Sequence, residues 1–236
     1  MWDNPQFCNS DKYALWAGCW RDGGYCERRN MEHAYPASYF MVNAFVVNAL
    51  RMLASFAEQG LINLNARELL KQAEKTLKKT IETFWLGDEG YFASETDNEG
   101  IIRTFYLDSV VSLYFLEKDD VSKEMMQKIA ENLKKLETDY GYLTREDLPG
   151  YDYEGDEKKP FKLTIWPYEN ACVALLAERY GLKDLKQKCF LLAKRLSELK
   201  HPFTEYLLYE NRQAVPVGCN IQLWTIAYAK AMKELK

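Results

Sequence analysis

Histidine is nearly missing from this chain: 236 residues hold only His33 and His201. Two imidazoles leave little with which to build a Ser-His-Asp or Cys-His triad, and no histidine-based metal centre. The six cysteines (8, 19, 26, 172, 189, 219) form no Cys-x-x-Cys pair and no zinc spacing. Cys172 and Cys189 lie inside helical patterns and read as small buried hydrophobes. Basic runs are also missing, and a net charge of -4 argues against nucleic acid or an anionic membrane as partner. No apolar leader follows Met1, and no apolar run approaches the length of a membrane span. Together these features predict a cytoplasmic protein with reduced thiols. Glycine-rich phosphate loops, low-complexity tracts and Pro/Gly/Ser linkers are absent as well, so residues 1–236 read as one domain.

Strand-like alternation is sustained nowhere, whereas helical periodicity recurs along most of the chain. Seven helical segments are expected. Four are apolar nearly all round: 36–58, 105–116, 166–180 and 220–235. Three carry one apolar stripe and a charged face. The stripe is Leu69, Ala73, Leu77, Ile81 and Phe84 in 65–84. It is Met125, Ile129, Leu133 and Leu136 in 121–137, and Leu185, Cys189, Leu192, Leu196 and Leu199 in 184–200. A helix apolar on every side is an inner helix, and a striped one covers a core from outside. The two kinds alternate strictly, which predicts an all-α fold of helical hairpins with an inner and an outer layer.

The connections alternate too. Inner helices end in short turns at 60–65, 118–121 and 180–183. Outer helices end in long loops rich in aromatic and charged residues, at 87–103, 138–163 and 201–218. Every long loop enters an inner helix at its N-terminus, so the long loops gather on one face, where a site is expected. Aromatic residues make up 14% of the chain, including 16 Tyr and 6 Trp, and such rings suit a sugar-stacking cleft as well as a core.

Four stretches resemble the six-hairpin glycosidases: glucoamylases, trehalases, processing α-glucosidases and the amylo-1,6-glucosidase part of glycogen-debranching enzymes. They are WRDGG (20–24) with VVNALRMLA (46–54), ETFWLGDEGYFA (82–93), TIWPYENACVALLAERYGL (164–182) and YENRQAVPVGCNIQLWTIA (209–227). The resemblance implies an α/α toroid, and its two carboxylates precede helices six and twelve. Counted back from the C-terminus, 220–235 is the twelfth helix and 36–58 the sixth. Seven helices are not twelve, so the chain reads as the C-terminal part of a longer enzyme, as a ring completed by another chain, or as a reduced relative. Its inner helices are expected to keep an exposed apolar edge, met by a homo-oligomer or a second chain that completes the barrel.

The resemblance further implies inverting hydrolysis of an α-glucosidic linkage in a glucan or oligosaccharide, without metal or cofactor. It assigns Asp22 as general acid and Glu210 as general base, with Glu27 and Glu205 as alternates. Trp16, Trp20 and Tyr25 are placed to raise the pKa of Asp22. Substrate-binding candidates are Trp20, Arg103, Trp166, Glu169, Glu205, Gln222 and Trp224. Each also has a plainer reading. Asp22 lies in good turn sequence. Glu210 reads as a surface partner of Arg212, Arg103 as a partner of Asp108, Trp166-Pro167 as a helix start, and Trp224 as core. Tyr142, Tyr151 and Tyr153 are either stacking platforms or loop packing. Two rival functions remain: a non-catalytic carbohydrate-binding or subunit-forming half barrel, and a toroid-fold sugar epimerase.

Overall fold

The computed structural model describes residues 38–97, 100–146 and 163–235. All seven expected helices are present among them: α1 (Phe40–Glu58), α2 (Ala66–Phe84), α3 (Leu107–Ser112), α4 (Lys123–Leu133), α5 (Pro167–Tyr180), α6 (Lys183–Ser197) and α7 (Leu223–Glu234). They fall into two compact units. The first takes the described residues of Met1–Thr104 together with Phe115–Asp120, and the second those of Phe105–Tyr114 and Val121–Lys236.

In the first unit, α1 and α2 form a hairpin. Asn65 caps α2 by accepting a hydrogen bond from the Glu68 N–H (3.2 Å). Helix α2 runs directly into a two-stranded turn, β2 (Trp85–Leu86) and β3 (Tyr91–Phe92), closed by Gly90 at φ 80°. The Phe-Trp…Gly-Tyr stretch is therefore a β-hairpin. Its rings make the core of the unit: Phe40 stacks on Phe92 at 4.6 Å and meets Phe84 at 5.7 Å. Strand β1 (Ser38–Tyr39) joins β4 (Glu95–Asp97) and β5 (Gly100–Ile102) in an antiparallel sheet at the N-terminus of α1.

Helix α1 departs from expectation in two ways. Its 19 residues are long and apolar enough to cross a bilayer, the one such helix among the described residues. It is also not buried all round. Phe40, Met41, Ala44, Val47, Leu50 and Ala54 face inward. So does Asn43, whose amide donates to Ser38 Oγ (3.2 Å) and to the Tyr39 carbonyl (2.7 Å). Arg51 makes a two-pronged pair with Asp120 at 2.5 and 2.8 Å. A separate apolar stripe is left facing solvent.

The second unit is built around α5 and α3. Every residue of α3 is buried, and so is most of α5. Helix α3 is shorter than its pattern and tightens into a 3₁₀ turn at Leu113–Phe115. The Arg179 guanidinium explains the early end: it donates to the Tyr114 carbonyl (3.1 Å) and lies over the Tyr114 ring. Helices α4 and α6 cover this core with stripes close to those expected, except that Met126 rather than Met125 turns inward on α4. Pro167 opens α5, and Gly181, at φ 72°, closes it into the short turn before α6. A Cβ on Gly181 would meet nothing within 4 Å, and the same is true of Gly60 after α1.

One buried amide locks the start of α5 to the strand pair β6 (Glu137–Thr138) and β7 (Gly141–Tyr142). Asn170 accepts from the Tyr142 N–H (2.8 Å) and donates to the Tyr142 and Trp166 carbonyls (3.1 and 3.0 Å). Gly141 sits at φ 117°, and a Cβ there would lie 2.6 Å from Asn170 Oδ1. Tyr142 itself is fully buried, so it is a core residue and not a stacking platform.

The loop expected at 201–218 is largely a β-hairpin, β9 (Tyr206–Glu210) and β10 (Gln213–Val217), with β9 also paired to β8 (Leu163–Ile165). Its two-residue turn puts Asn211 and Arg212 at φ 50° and 60°. Asparagine tolerates that conformation, whereas arginine gains nothing from it. Arg212→Gly should therefore stabilise the unit by about 0.5–1 kcal/mol in chemical denaturation.

Candidate functional site

The rim of the second unit is a continuous run of backbone hydrogen bonds linking the entrances of its three inner helices. Leu107 N–H, at the start of α3, donates to the Thr144 carbonyl (2.7 Å), and Thr144 N–H donates to the Thr164 carbonyl (2.8 Å). Thr164 pairs with Leu208 across the β8–β9 ladder, and β9 leads through β10 to α7. Gln222 N–H closes the far end on the Phe203 carbonyl (2.8 Å). The entrances of α3, α5 and α7 thus meet on one face, as the loop lengths predict.

Two aromatic pairs stand on this rim at the entrance of α5. Trp166 and Tyr206 stack at 4.9 Å with planes 17° apart. Tyr168 and Trp224 meet at 5.5 Å, tilted by 57°. All four rings are partly exposed. Trp166 is the residue before the Pro-led first turn of α5, and Trp224 lies in the first turn of α7, so its ring is not core. Tyr206 and Tyr168 were not singled out by sequence. The signal for Tyr206 is its place at the start of β9, visible only once the hairpin is known.

The polar candidates divide clearly. Glu210 is exposed at the end of β9, directly before the Asn211–Arg212 turn and opposite Gln213. Glu205 is half-buried, and its carboxylate accepts from the Cys219 N–H at 3.1 Å. Gly218 is required there, since a Cβ would fall 2.4 Å from Glu205 Oε2. Glu205 is therefore held by the backbone that leads into α7. Glu169 is buried in the first turn of α5 and accepts from Thr144 Oγ1 at 2.8 Å, and that hydroxyl also receives the Thr164 hydroxyl at 3.2 Å. Gln222 caps α7 through its own side chain, accepting from Leu223 N–H at 2.9 Å. Arg103 belongs to the first unit, where it pairs with Asp88 (2.9 Å) and with Glu89. Asp22, Trp20, Trp16, Tyr25 and Glu27 lie outside the described residues, as do Tyr151, Tyr153 and the acidic loop 150–160.

Beneath the rim, burial pushes the Cys172 thiol up to about 12, with the Tyr168 hydroxyl hydrogen-bonded to it and Glu169 adding to the upward shift. Burial also raises the Cys189 thiol. Both are thus neutral thiols at ordinary pH, while Cys219 is exposed. At pH 8, Cys219 should react with a thiol reagent while Cys172 and Cys189 react only on unfolding. The raised values also set the sign of a pH effect on stability. Stability is intact below pH 9, where unfolded thiols keep their protons, and falls as pH climbs from 9 toward 12. Denaturant midpoints across that window check it.

No protein-family model and no curated protein sequence matches the chain. Solved structures do. Mannosylglycerate hydrolase of family GH63 from Thermus thermophilus superposes with a TM-score of 0.63 at 17% identity, over 85% of this chain and 46% of that enzyme. Neutral trehalase from Saccharomyces cerevisiae gives a TM-score of 0.65 at 13% identity, over 85% of this chain and 38% of that one. A sialidase gives 0.70 at 14% identity, over 95% of this chain but only 21% of its own. The chain spans less than half the length of the hydrolases it matches. Its alternating helices, its rim of inner-helix entrances and these likenesses give it the α/α-toroid fold of the six-hairpin glycosidases.

Proposed function

We propose that the chain is a glycoside hydrolase module that cleaves α-glucosidic linkages of a glucan or oligosaccharide with inversion. Glu210 acts as general base and Asp22 as general acid. One observation carries the reading: two partly exposed aromatic pairs stand at the entrances of α5 and α7, and β9, which begins at Tyr206 of one pair, ends at the exposed Glu210. Aromatic faces hold the apolar faces of a sugar, while a carboxylate at the rim activates the attacking water. Inversion requires the two carboxyls to stand about 6.5–9.5 Å apart so that the water fits between them. Trp166 and Trp224 serve as sugar-stacking walls in this scheme. Glu205, Glu169 and Gln222 fix the rim that carries them.

A second reading, a non-catalytic carbohydrate-binding or subunit-forming half barrel, rests on the two partly exposed aromatic pairs, which can hold a sugar face without any catalytic carboxylate. A sugar epimerase on the same ring is disfavoured by the scarcity of histidine. Incubation with maltooligosaccharides, trehalose and mannosylglycerate, followed by proton NMR of the released sugar, separates the three. Release of the inverted anomer supports the hydrolase. Calorimetric binding without turnover supports the half ring, and interconversion of a free sugar supports the epimerase.

A further inference from the structure

The outward stripe of α1 consists of Phe45, Ala49, Met52, Leu53 and Phe56. All are exposed, at 38% for Phe45, 51% for Met52, 37% for Leu53 and 39% for Phe56. Phe45, Ala49, Met52 and Phe56 are spaced four, three and four residues apart, the seam pattern of a helix that packs lengthwise against another helix. No charge interrupts the seam. Within α1 only Arg51 and Glu58 are charged, and Arg51 is bound to Asp120 within its own chain.

The order of side chains along this seam is its own complement. Turned end for end about the point midway between Leu50 and Arg51, Phe45 falls opposite Phe56 and Ala49 opposite Met52. A large ring then meets a large ring at both ends, and the smallest residue meets the long, adaptable methionine at the centre. The Phe45 ring is already fixed edge-on against Phe115 at 4.4 Å, so its ordering cost is largely met within one chain. We infer that this stripe is a homodimer interface in which α1 packs antiparallel against α1 of a second copy. The contact is isologous, so each residue pair occurs twice about one two-fold axis. Leu53 flanks the seam. The stripe is short, so the dimer falls at the weak end of specific interfaces and dissociates on dilution.

Light scattering on the full chain at about 100 µM should give twice the 27.6 kDa mass of one chain, falling to one chain at sub-micromolar concentration. Met52→Asp places two carboxylates in the apolar seam and should weaken the dimer about 100-fold or more without changing the helical circular dichroism. Ala49→Arg, at the opposed position, should do the same and guards against a folding defect in either variant. Register is read by mixing Phe45→Cys with Phe56→Cys chains under mild oxidation. The mixture should crosslink, whereas either variant alone should behave like the unsubstituted chain, because like positions lie about 16 Å apart along the helix. A monomer at 100 µM overturns the proposal. So does a dimer indifferent to both substitutions, or self-crosslinking of Phe45→Cys alone. Sedimentation of the wild-type chain, but not Met52→Asp, with phosphatidylcholine vesicles would assign the stripe to a bilayer instead.

Discussion

Glu210→Gln is expected to lower glucose release from maltooligosaccharides by about 10²–10⁴-fold while leaving substrate affinity within a few-fold of wild type. The amide keeps the shape of the carboxylate but cannot take a proton from water, so only the chemical step suffers. Because Glu210 is exposed on a hairpin whose ladder is made by backbone groups, the substitution leaves the fold intact. Glu205→Gln is the decisive comparison. An amide oxygen still accepts from the Cys219 N–H, so this variant should keep most of its activity if Glu205 only braces the entrance of α7. A Glu205→Gln enzyme as dead as Glu210→Gln should be would move the general base to Glu205. Unchanged turnover by Glu210→Gln would remove the hydrolase assignment in its present form. The kcat and KM of both variants, measured side by side, decide between these outcomes.

The largest stability loss is expected at Asn170. Replacement by Ala strands the Tyr142 N–H and C=O and removes one donor to the Trp166 carbonyl, at the buried start of α5. Leaving two or three buried polar groups unpaired costs about 3–5 kcal/mol, which lowers the melting temperature by roughly 10 °C in a protein of this size. Gly141→Ala attacks the same lock from the other side. Its Cβ would fall 2.6 Å from Asn170 Oδ1 at a φ of 117° that an alanine rarely adopts. The two losses share a mechanism, so the double variant should lose clearly less than the sum of the singles. Full additivity in thermal melts would show that the glycine and the asparagine act separately.

The helices were legible because their apolar residues repeat with a period that no strand can use, and the outer stripes at Ile129, Leu133, Cys189, Leu192 and Leu196 proved buried or nearly so. The rim strands were not legible. In β9 and β10 only Leu207 and Ala214 are fully buried, too few for alternation to register, and the turn between them lacks the glycine that usually betrays a hairpin. Burial on every side was inferred for α1 and α7 from apolarity alone. That criterion cannot tell a face covered by its own chain from one left open, and Phe56 and Trp224 are open. The candidate site was half legible. The Trp166 and Trp224 rings stand at the entrances of α5 and α7, and Glu210 at the far end of β9 from Tyr206, but the rings facing the two tryptophans, Tyr206 and Tyr168, carry no motif of their own.

The glycine turn between α5 and α6 offers a practical handle. Gly181 needs its φ of 72° and stays, but Lys183 beside it is exposed, and the turn lies at the opposite end of α5 from Trp166. A dye, a peptide tag or a surface tether introduced at that turn would report on or hold the protein by its back. The aromatic rim would stay unobstructed, and sensors or immobilised preparations could be made without sacrificing the face on which sugar binding is proposed.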